Sequence, residues 1–338
     1  MKILIVSPLG YAVNHNMRYG GIERLAYEFT KELVKSHQVA VMGRADSIYP
    51  EGVAIFPTSV SPADEIFQQA ELKQYQTYQS DLTKFDVIHD FSHQHLVARF
   101  NGSLPTANVF WHAPSVAQFP KAPYNIVALS KWAAREYEKY YHQKAIYQNT
   151  IVIDTDVFKL SNRHRNDRWL SLGAITPRKG HLEAIKICRE CNVPLDVVGK
   201  EDANEAEYAR IIKSLCDGKV IRFLGEVTDE EKIRLYQDNK AMIYDSQEPE
   251  VSNHKLQEAM LCGMPVVVND IGAMNEIVTN GVDGYLCHSW DELKTAVNQV
   301  SKLNPKLTNQ TLVKTYSIAN VVADYVKLYE KVANGLRW

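Results

Sequence analysis

Two carboxylates, Glu250 and Glu258, flank a polar stretch, Ser252-Asn253-His254-Lys255, at the point where the strand-like AMIYDS gives way to the helical HKLQEAMLCG. A helix whose first turn lies around Val251 to Lys255 aims unpaired backbone N–H groups, and the positive end of its dipole, beyond the end of that strand. Such a terminus is a binding place for a diphosphate. Glu258 falls deeper in the helix, where a carboxylate can accept both hydroxyl protons of a ribose diol. Glu250 stands just before the helix, at the other end of that binding place.

Other residues invite chemistry with less context. Arg178 and Lys179 follow a strand-like run, in LGAITPRKGHLEAI, where cations can meet phosphate charge. Gly20 and Gly21 lie between a first strand and a first helix, and without Cβ atoms their backbone can close on a phosphate or sugar. His89, His93, His95 and His112 occur in VIHDFSHQH and VFWHAPS; they suggest a metal site, but no supporting Cys or carboxylate triad is visible, and strand-end histidines commonly line clefts. Asp154-Thr155-Asp156 is a DxD, a pattern that can hold magnesium, although its setting in IDTDVF reads as structural. Cys188 and Cys191 form a lone CxxC in an amphipathic stretch and read as helix packing.

The elements that must position these residues alternate along the chain. KILIVSP, then IERLAYEFTKELVKS, then QVAVMG read as strand, helix and strand, and FDVIHDF, TANVFWH and YNIVALS continue with short β-branched or aromatic runs. A second series starts after the polar SNRHRNDR: RWLSLGA, HLEAIKICREC, PLDVVG, EAEYARIIKSLCD, VIRFLG, EEKIRLYQDN, AMIYDS, HKLQEAMLCG and PVVVND. Near-continuous apolar strands alternating with amphipathic helices predict parallel sheets covered on both faces. At 338 residues the chain exceeds what one core usually supports. The expectation is an α/β protein of two Rossmann-like, doubly wound lobes facing across a cleft, with residues 1–160 in the first and 161–316 in the second. The helix over 317–338 is expected to pack back on the first lobe. Ligands in such sheets lie beyond the carboxyl ends of the strands.

The stretch EVSNHKLQEAMLCGMPVVVNDIGAMNEIVTNGVDGYL resembles the signature of family-4 glycosyltransferases of the two-lobed GT-B type. A Glu, seven residues, a second Glu opening EAM-x-CG-x-PVV, a Gly and Glu pair, and an NG-x-x-G turn appear as Glu250, Glu258, Gly272, Glu276, Asn280, Gly281 and Gly284. Where many relatives have an aromatic and a Gly after the first Glu, this chain has Ser252-Asn253-His254, nearer a sub-pattern ending Lys-Leu-x-Glu. Taking Glu248 as the first Glu breaks the spacing. The Pro-x-Lys-Gly element resembles the family's, which makes Lys179 the cation that neutralises the donor diphosphate. The arginine often found directly after the strand's Gly is replaced by Ala174, so that one phosphate cation is missing or supplied elsewhere, with Arg178 a candidate. Tyr19-Gly20-Gly21 matches the family's glycine pair, and His112 stands where a family histidine touches the transferred sugar.

The resemblance implies a retaining transferase moving a hexosyl group from a nucleoside diphosphate sugar to a hydroxyl acceptor. Glu250, Lys179 and His112 are then catalytic. Gly20, Gly21, Arg178, Ser252, Asn253, His254, Lys255 and Glu258 bind the nucleotide sugar, and neither a metal nor another cofactor is required. The alternatives are a catalytically silent nucleotide-sugar-binding partner subunit and a two-lobed epimerase or phosphorylase. A net charge of −2 offers no field for nucleic acid, which is excluded as a partner. Met1–Val6 is too short an apolar run for a signal peptide core or membrane span, and five scattered cysteines suit reduced thiols, so a cytoplasmic location is expected. The helix KWAAREYEKYYHQKAIY mixes basic and aromatic residues as a peripheral membrane contact would, though Glu136 and Glu138 favour ordinary packing.

Overall fold

The computed structural model describes residues 1–14, 20–60, 67–114, 123–161 and 163–338, with the side chains of residues 67 and 68 excepted. Tyr19, the first residue of the glycine-pair motif, lies outside them. The chain forms two compact units, Met1–Val152 with Tyr316–Trp338, and Ile153–Thr315.

The first unit is built on seven parallel strands: β1 (Lys2–Val6), β2 (Gln38–Arg44), β3 (Ala54–Thr58), β4 (Val87–Asp90), β5 (Thr106–Phe110), β6 (Ile126–Ala128) and β7 (Ala145–Tyr147). Their order is β3-β2-β1-β4-β5-β6-β7. Ile3, Leu4, Ile5, Val87, Ile88, Ala107 and Val109 have no exposed surface, as strands covered on both faces require. Sequence patterning names neither β3 nor β7. Both are edge strands and partly exposed, so no continuous apolar run marks them.

Among the described residues four α-helices follow these strands: α1 (Gly21–Leu33), α2 (Phe67–Tyr78), α3 (Leu96–Phe100) and α4 (Lys131–Tyr141). In α1 the residues Leu25, Ala26, Phe29 and Leu33 recur at helical spacing and are buried together. Ser130 caps α4 by accepting from the Ala133 amide, and the helix buries Ala133, Ala134 and Tyr137 while Tyr140 stays exposed.

In the second unit six parallel strands, β8 (Trp169–Leu172), β9 (Leu195–Val198), β10 (Ile221–Gly225), β11 (Ala241–Tyr244), β12 (Val266–Asn269) and β13 (Gly284–Cys287), lie in the order β10-β9-β8-β11-β12-β13. The connecting helices are α5 (His181–Glu190), α6 (Ala206–Ser214), α7 (Asp229–Asp238), α8 (His254–Leu261), α9 (Met274–Ile277), α10 (Trp290–Gln299) and α11 (Asn309–Tyr316). Trp169, Ile185, Leu195, Ile212, Ile243 and Val267 centre the core. The chain winds outward from β8 through β10, then restarts at β11 beside β8 and winds the other way. The carboxyl ends of β8 and β11 therefore meet at a topological switch point, where open α/β sheets bind ligands.

This unit begins at Ile153, ahead of the boundary expected at residue 160. The reason is local packing: the Phe158 ring lies 6.3 Å from Tyr236 of α7 and under the Lys232 ammonium.

The chain closes with α12 (Ile318–Ala333), which buries Val321, Val322, Tyr325, Leu328, Tyr329 and Val332 in the first unit. Tyr325 and Thr150 share a hydrogen bond of 2.5 Å, and Tyr329 bonds His89 Nδ1 at 2.5 Å. His89 is thus a core histidine of β4, held well below its usual pKa by burial. Among the described residues no helix is long and apolar enough to cross a membrane.

Candidate active site

Both sides of the switch point in the second unit carry the predicted residues. On the β8 side the chain passes Gly173, Ala174 and a single turn, Pro177–Lys179, before α5. Gly180 ends that turn at φ +68°, and a Cβ there would sit 1.8 Å from the carbonyl oxygen of Asp245. Only glycine lets the Lys179 turn rest against the end of β11. The Gln247 amide donates to the Arg178 carbonyl at 3.0 Å, which ties the two loops together.

On the β11 side the loop from Asp245 to Asn253 carries Glu250. Its backbone is held by Gly272, whose φ is +67° and whose missing Cβ would meet Glu250 N and O at 2.6 and 2.5 Å. The next residue, Ala273, donates its amide to the Glu250 carbonyl at 2.9 Å. The family-like Gly after PVVVND therefore seats the glutamate.

The Glu250 carboxylate is almost fully engaged. Oε1 pairs with the Lys179 ammonium and accepts from Tyr244 Oη at 2.6 Å, and Oε2 accepts from Asn253 Nδ2 at 2.7 Å. Burial alone would raise its pKa, but Lys179 and then Lys255 hold it below the usual carboxylate value. Burial and the Glu250 charge push the Tyr244 hydroxyl up, so Tyr244 stays a donor.

Helix α8 starts later than the sequence suggests. Its first residue is His254 and Asn253 is the cap, with Oδ1 accepting from Leu256 N at 3.3 Å, so Val251 and Ser252 belong to the loop. Asparagine is among the preferred caps, and here one side chain both caps the helix and fixes Glu250. His254 and Lys255 occupy the first turn. Burial, and then Lys255, hold His254 down to about 4, so its ring is neutral at physiological pH. Lys255 Nζ lies 5.3 Å from the Tyr244 ring centroid, and Lys179 Nζ lies 5.8 Å from the same ring. Arg178 is exposed.

A full turn on, Glu258 accepts from Tyr236 Oη at 3.0 Å and pairs with Lys232 Nζ at 3.2 Å. Both partners come from α7. Sequence reasoning missed Tyr244, Tyr236 and Lys232, because a tyrosine on a buried strand and a lysine on an amphipathic helix carry no motif. The signal that could point to Tyr244 is its place as the last strand residue before the Glu250 loop.

In the first unit Gly20 precedes α1 with φ +104°, and among the described residues a Cβ on Gly21 would meet nothing within 4 Å. His112 lies exposed just beyond β5, its ring stacked on His93 at 6.0 Å, and its carbonyl accepts from Tyr137 Oη. Burial, then His112 and His95, lower His93 to about 4. His95 instead stacks on Phe110 at 4.5 Å. Among the described residues no three His, Cys, Asp or Glu side chains converge as metal ligands. Asp154 of the DxD accepts the amides of Asp156 and Val157 at 3.0 and 3.2 Å, closing its own turn.

The sequence profile of the family "Glycosyl transferases group 1" matches residues 152–313. A phosphatidyl-myo-inositol mannosyltransferase of Mycobacterium leprae (strain TN) is 29% identical in an alignment of 171 residues that covers 46% of this chain and 44% of that protein, so the match spans under half of the relative. Solved structures resemble the fold along nearly its whole length. AviGT4, a glycosyltransferase involved in avilamycin A biosynthesis, superposes with a TM-score of 0.71 at 22% identity over 100% of this chain and 99% of its own. Anabaena HepE in complex with UDP gives 0.74 at 19% identity over 98% and 100%. Sucrose-phosphate synthase of Thermosynechococcus elongatus gives 0.77 at 14% identity over 99% and 100%. The fold is that of the GT-B glycosyltransferases, and over residues 152–313 the chain is similar to the group 1 glycosyltransferases.

Proposed function

We propose that this protein is a retaining, metal-independent hexosyltransferase that moves a sugar from a nucleoside diphosphate sugar to a hydroxyl acceptor. The observation that carries the reading is the order of charges along one path at the switch point. Glu250, with Lys179 on its carboxylate, lies before α8, the first N–H groups of the helix follow, and Glu258 lies a turn further on. A nucleotide sugar laid along that path meets a carboxylate at its hexose, cations and N–H donors at its diphosphate, and a carboxylate at its ribose.

Departure of the diphosphate places negative charge beside Lys179 and the helix start, which is where preorganised donors lower a barrier. The departing oxygen takes the acceptor proton on the same face of the sugar, so the anomeric configuration is kept. Glu250 holds hexose hydroxyls and favours positive charge at the anomeric carbon. Two similar proteins support the class of donor: HepE has been solved with UDP-glucose, and the M. leprae relative is a mannosyltransferase.

The test is transfer from UDP-glucose, GDP-mannose and related donors to a panel of sugar, lipid and small-molecule hydroxyls, with the product anomer read by NMR. Activity that survives exhaustive EDTA and gives the donor's own anomeric configuration is expected. Inversion overturns the retaining assignment, and loss in EDTA restored by Mg or Mn overturns the metal-independent one.

A further inference from the structure

A partly buried surplus of positive charge remains when the ion pairs of the site are assigned. Lys179 is matched by Glu250, and Glu250 is further occupied by Tyr244 and Asn253. Lys255 makes no ion pair among the described residues; its ammonium lies over the face of Tyr244. It also reaches back to the end of β8, where a Cβ built on Gly173 would stand 3.2 Å from Lys255 Nζ and 3.4 Å from Lys179 Cγ. Glycine at 173 is what leaves room for the two lysines beside that strand end. The neighbouring residue, Ala174, is where the family pattern would supply an arginine, and Arg178, the candidate substitute from sequence, is exposed.

We propose that Lys255, from the first turn of α8, is the second diphosphate-binding cation of this protein, replacing the arginine absent at Ala174, and that diphosphate binding loads a proton onto it. The inference rests on the reading of this site as a nucleotide-sugar site and deepens it. The charged and titratable groups facing Lys255 are Lys179 and Arg178 from the turn after β8, Glu250 from the loop, Tyr244 from β11, and His254 and Glu258 on its own helix. Burial, and then repulsion from Lys179, lower Lys255 to about 7, with Glu250 opposing. At pH 8 the empty site therefore holds Lys255 largely neutral. A bound diphosphate restores its charge, because an anion at contact favours the protonated form. An arginine, charged at every accessible pH, would show no such uptake.

The experiment is calorimetric titration of the intact protein with UDP and GDP at pH 8.0, where the nucleotide phosphates are fully ionised, in buffers of different ionisation enthalpy. The parent is expected to take up close to one proton per nucleotide bound. Lys255→Met is expected to bind roughly 10- to 100-fold more weakly with no uptake, as loss of one charge-assisted contact implies. Lys255→Arg is expected to keep affinity within about tenfold of the parent, as a retained cation implies, and also to lose the uptake. Circular dichroism and thermal unfolding of both variants establish that they fold. If the parent binds neither these two nor ADP, CDP or dTDP, the nucleotide-sugar reading fails. If the parent binds without uptake, or Lys255→Met binds as the parent does, that reading stands and the role of Lys255 is overturned.

Discussion

Glu250 and Glu258 sit on one segment yet have different neighbours, and their variants should fail differently. Glu250 is bonded to groups of its own strand end and loop, Tyr244 and Asn253, and to Lys179, whereas Glu258 is bonded to α7 through Tyr236 and Lys232. Glu250→Gln keeps the shape, but its single carbonyl oxygen cannot accept on both the Asn253 side and the Tyr244 and Lys179 side, and on the proposed reading it also removes charge-assisted bonds that strengthen as positive charge grows on the sugar. Turnover is expected to fall by about two to three orders of magnitude, as for one lost preorganised electrostatic contact, while nucleotide affinity changes little. Glu258→Ala should show the converse, weaker nucleotide binding with turnover at saturation largely kept. Steady-state kinetics beside calorimetry separate the two, and the opposite pattern would mean their roles are exchanged.

The loops that hold these residues depend on two glycines as much as on the charged groups. Gly272→Ala forces a Cβ into the backbone of Glu250 and strains a left-handed residue. A loss of at least about 2 kcal/mol is expected from the conformation and the clash. Turnover should fall further than nucleotide binding, because it is the Glu250 loop that moves. Thermal unfolding and kinetics on the same preparation check this; an unperturbed variant would show that the loop relaxes freely. Element by element, the sequence made the inner strands legible because they are apolar on both faces, and it made the Glu250–Glu258 segment legible because spacing survives without knowledge of structure. It left β3 and β7 unmarked because edge strands need no apolar run, and it set α8 too early because the polar stretch before His254 does not itself show that the Asn253 side chain caps the helix. Tyr244 and Lys232 stayed hidden because their roles arise from what folds beside them, not from their neighbours in the chain.

Across the whole molecule, acid and base should act unequally on the first unit. Glu71 of α2 is buried, accepting the amides of His93 and Gln94 at 3.1 and 3.0 Å, and burial raises it to about 7 with Asp90 opposing its ionisation. A carboxyl raised above its unfolded value contributes stability that is present below the unfolded value and is lost as pH rises through about 7. The parent should thus lose stability between about pH 5 and 8, with an upper bound on the order of 3 kcal/mol. Glu71→Gln removes the titration, so unfolding midpoints of the two proteins at pH 5 and pH 8 should diverge in favour of the variant at the higher pH. A constant difference would show that Glu71 does not titrate there. At this scale the tandem of wound sheets was visible in the alternation of patterns, whereas the start of the second unit at Ile153 rests on Phe158 packing against α7, a contact that no pattern announces.

The return of residues 316–338 to the first unit bears on how the chain is made. Tyr325 and Tyr329, which complete the layer over β4 and bond Thr150 and His89, leave the ribosome after every residue of the second unit. The second unit is continuous in sequence and can close as soon as it emerges, but the first must wait on it with His89 and Phe29 uncovered. At ~5–20 residues per second that wait lasts on the order of ten to forty seconds. During synthesis, then, the half of the protein that begins first finishes last, and its open face over β4 is the surface that a nascent-chain chaperone would meet.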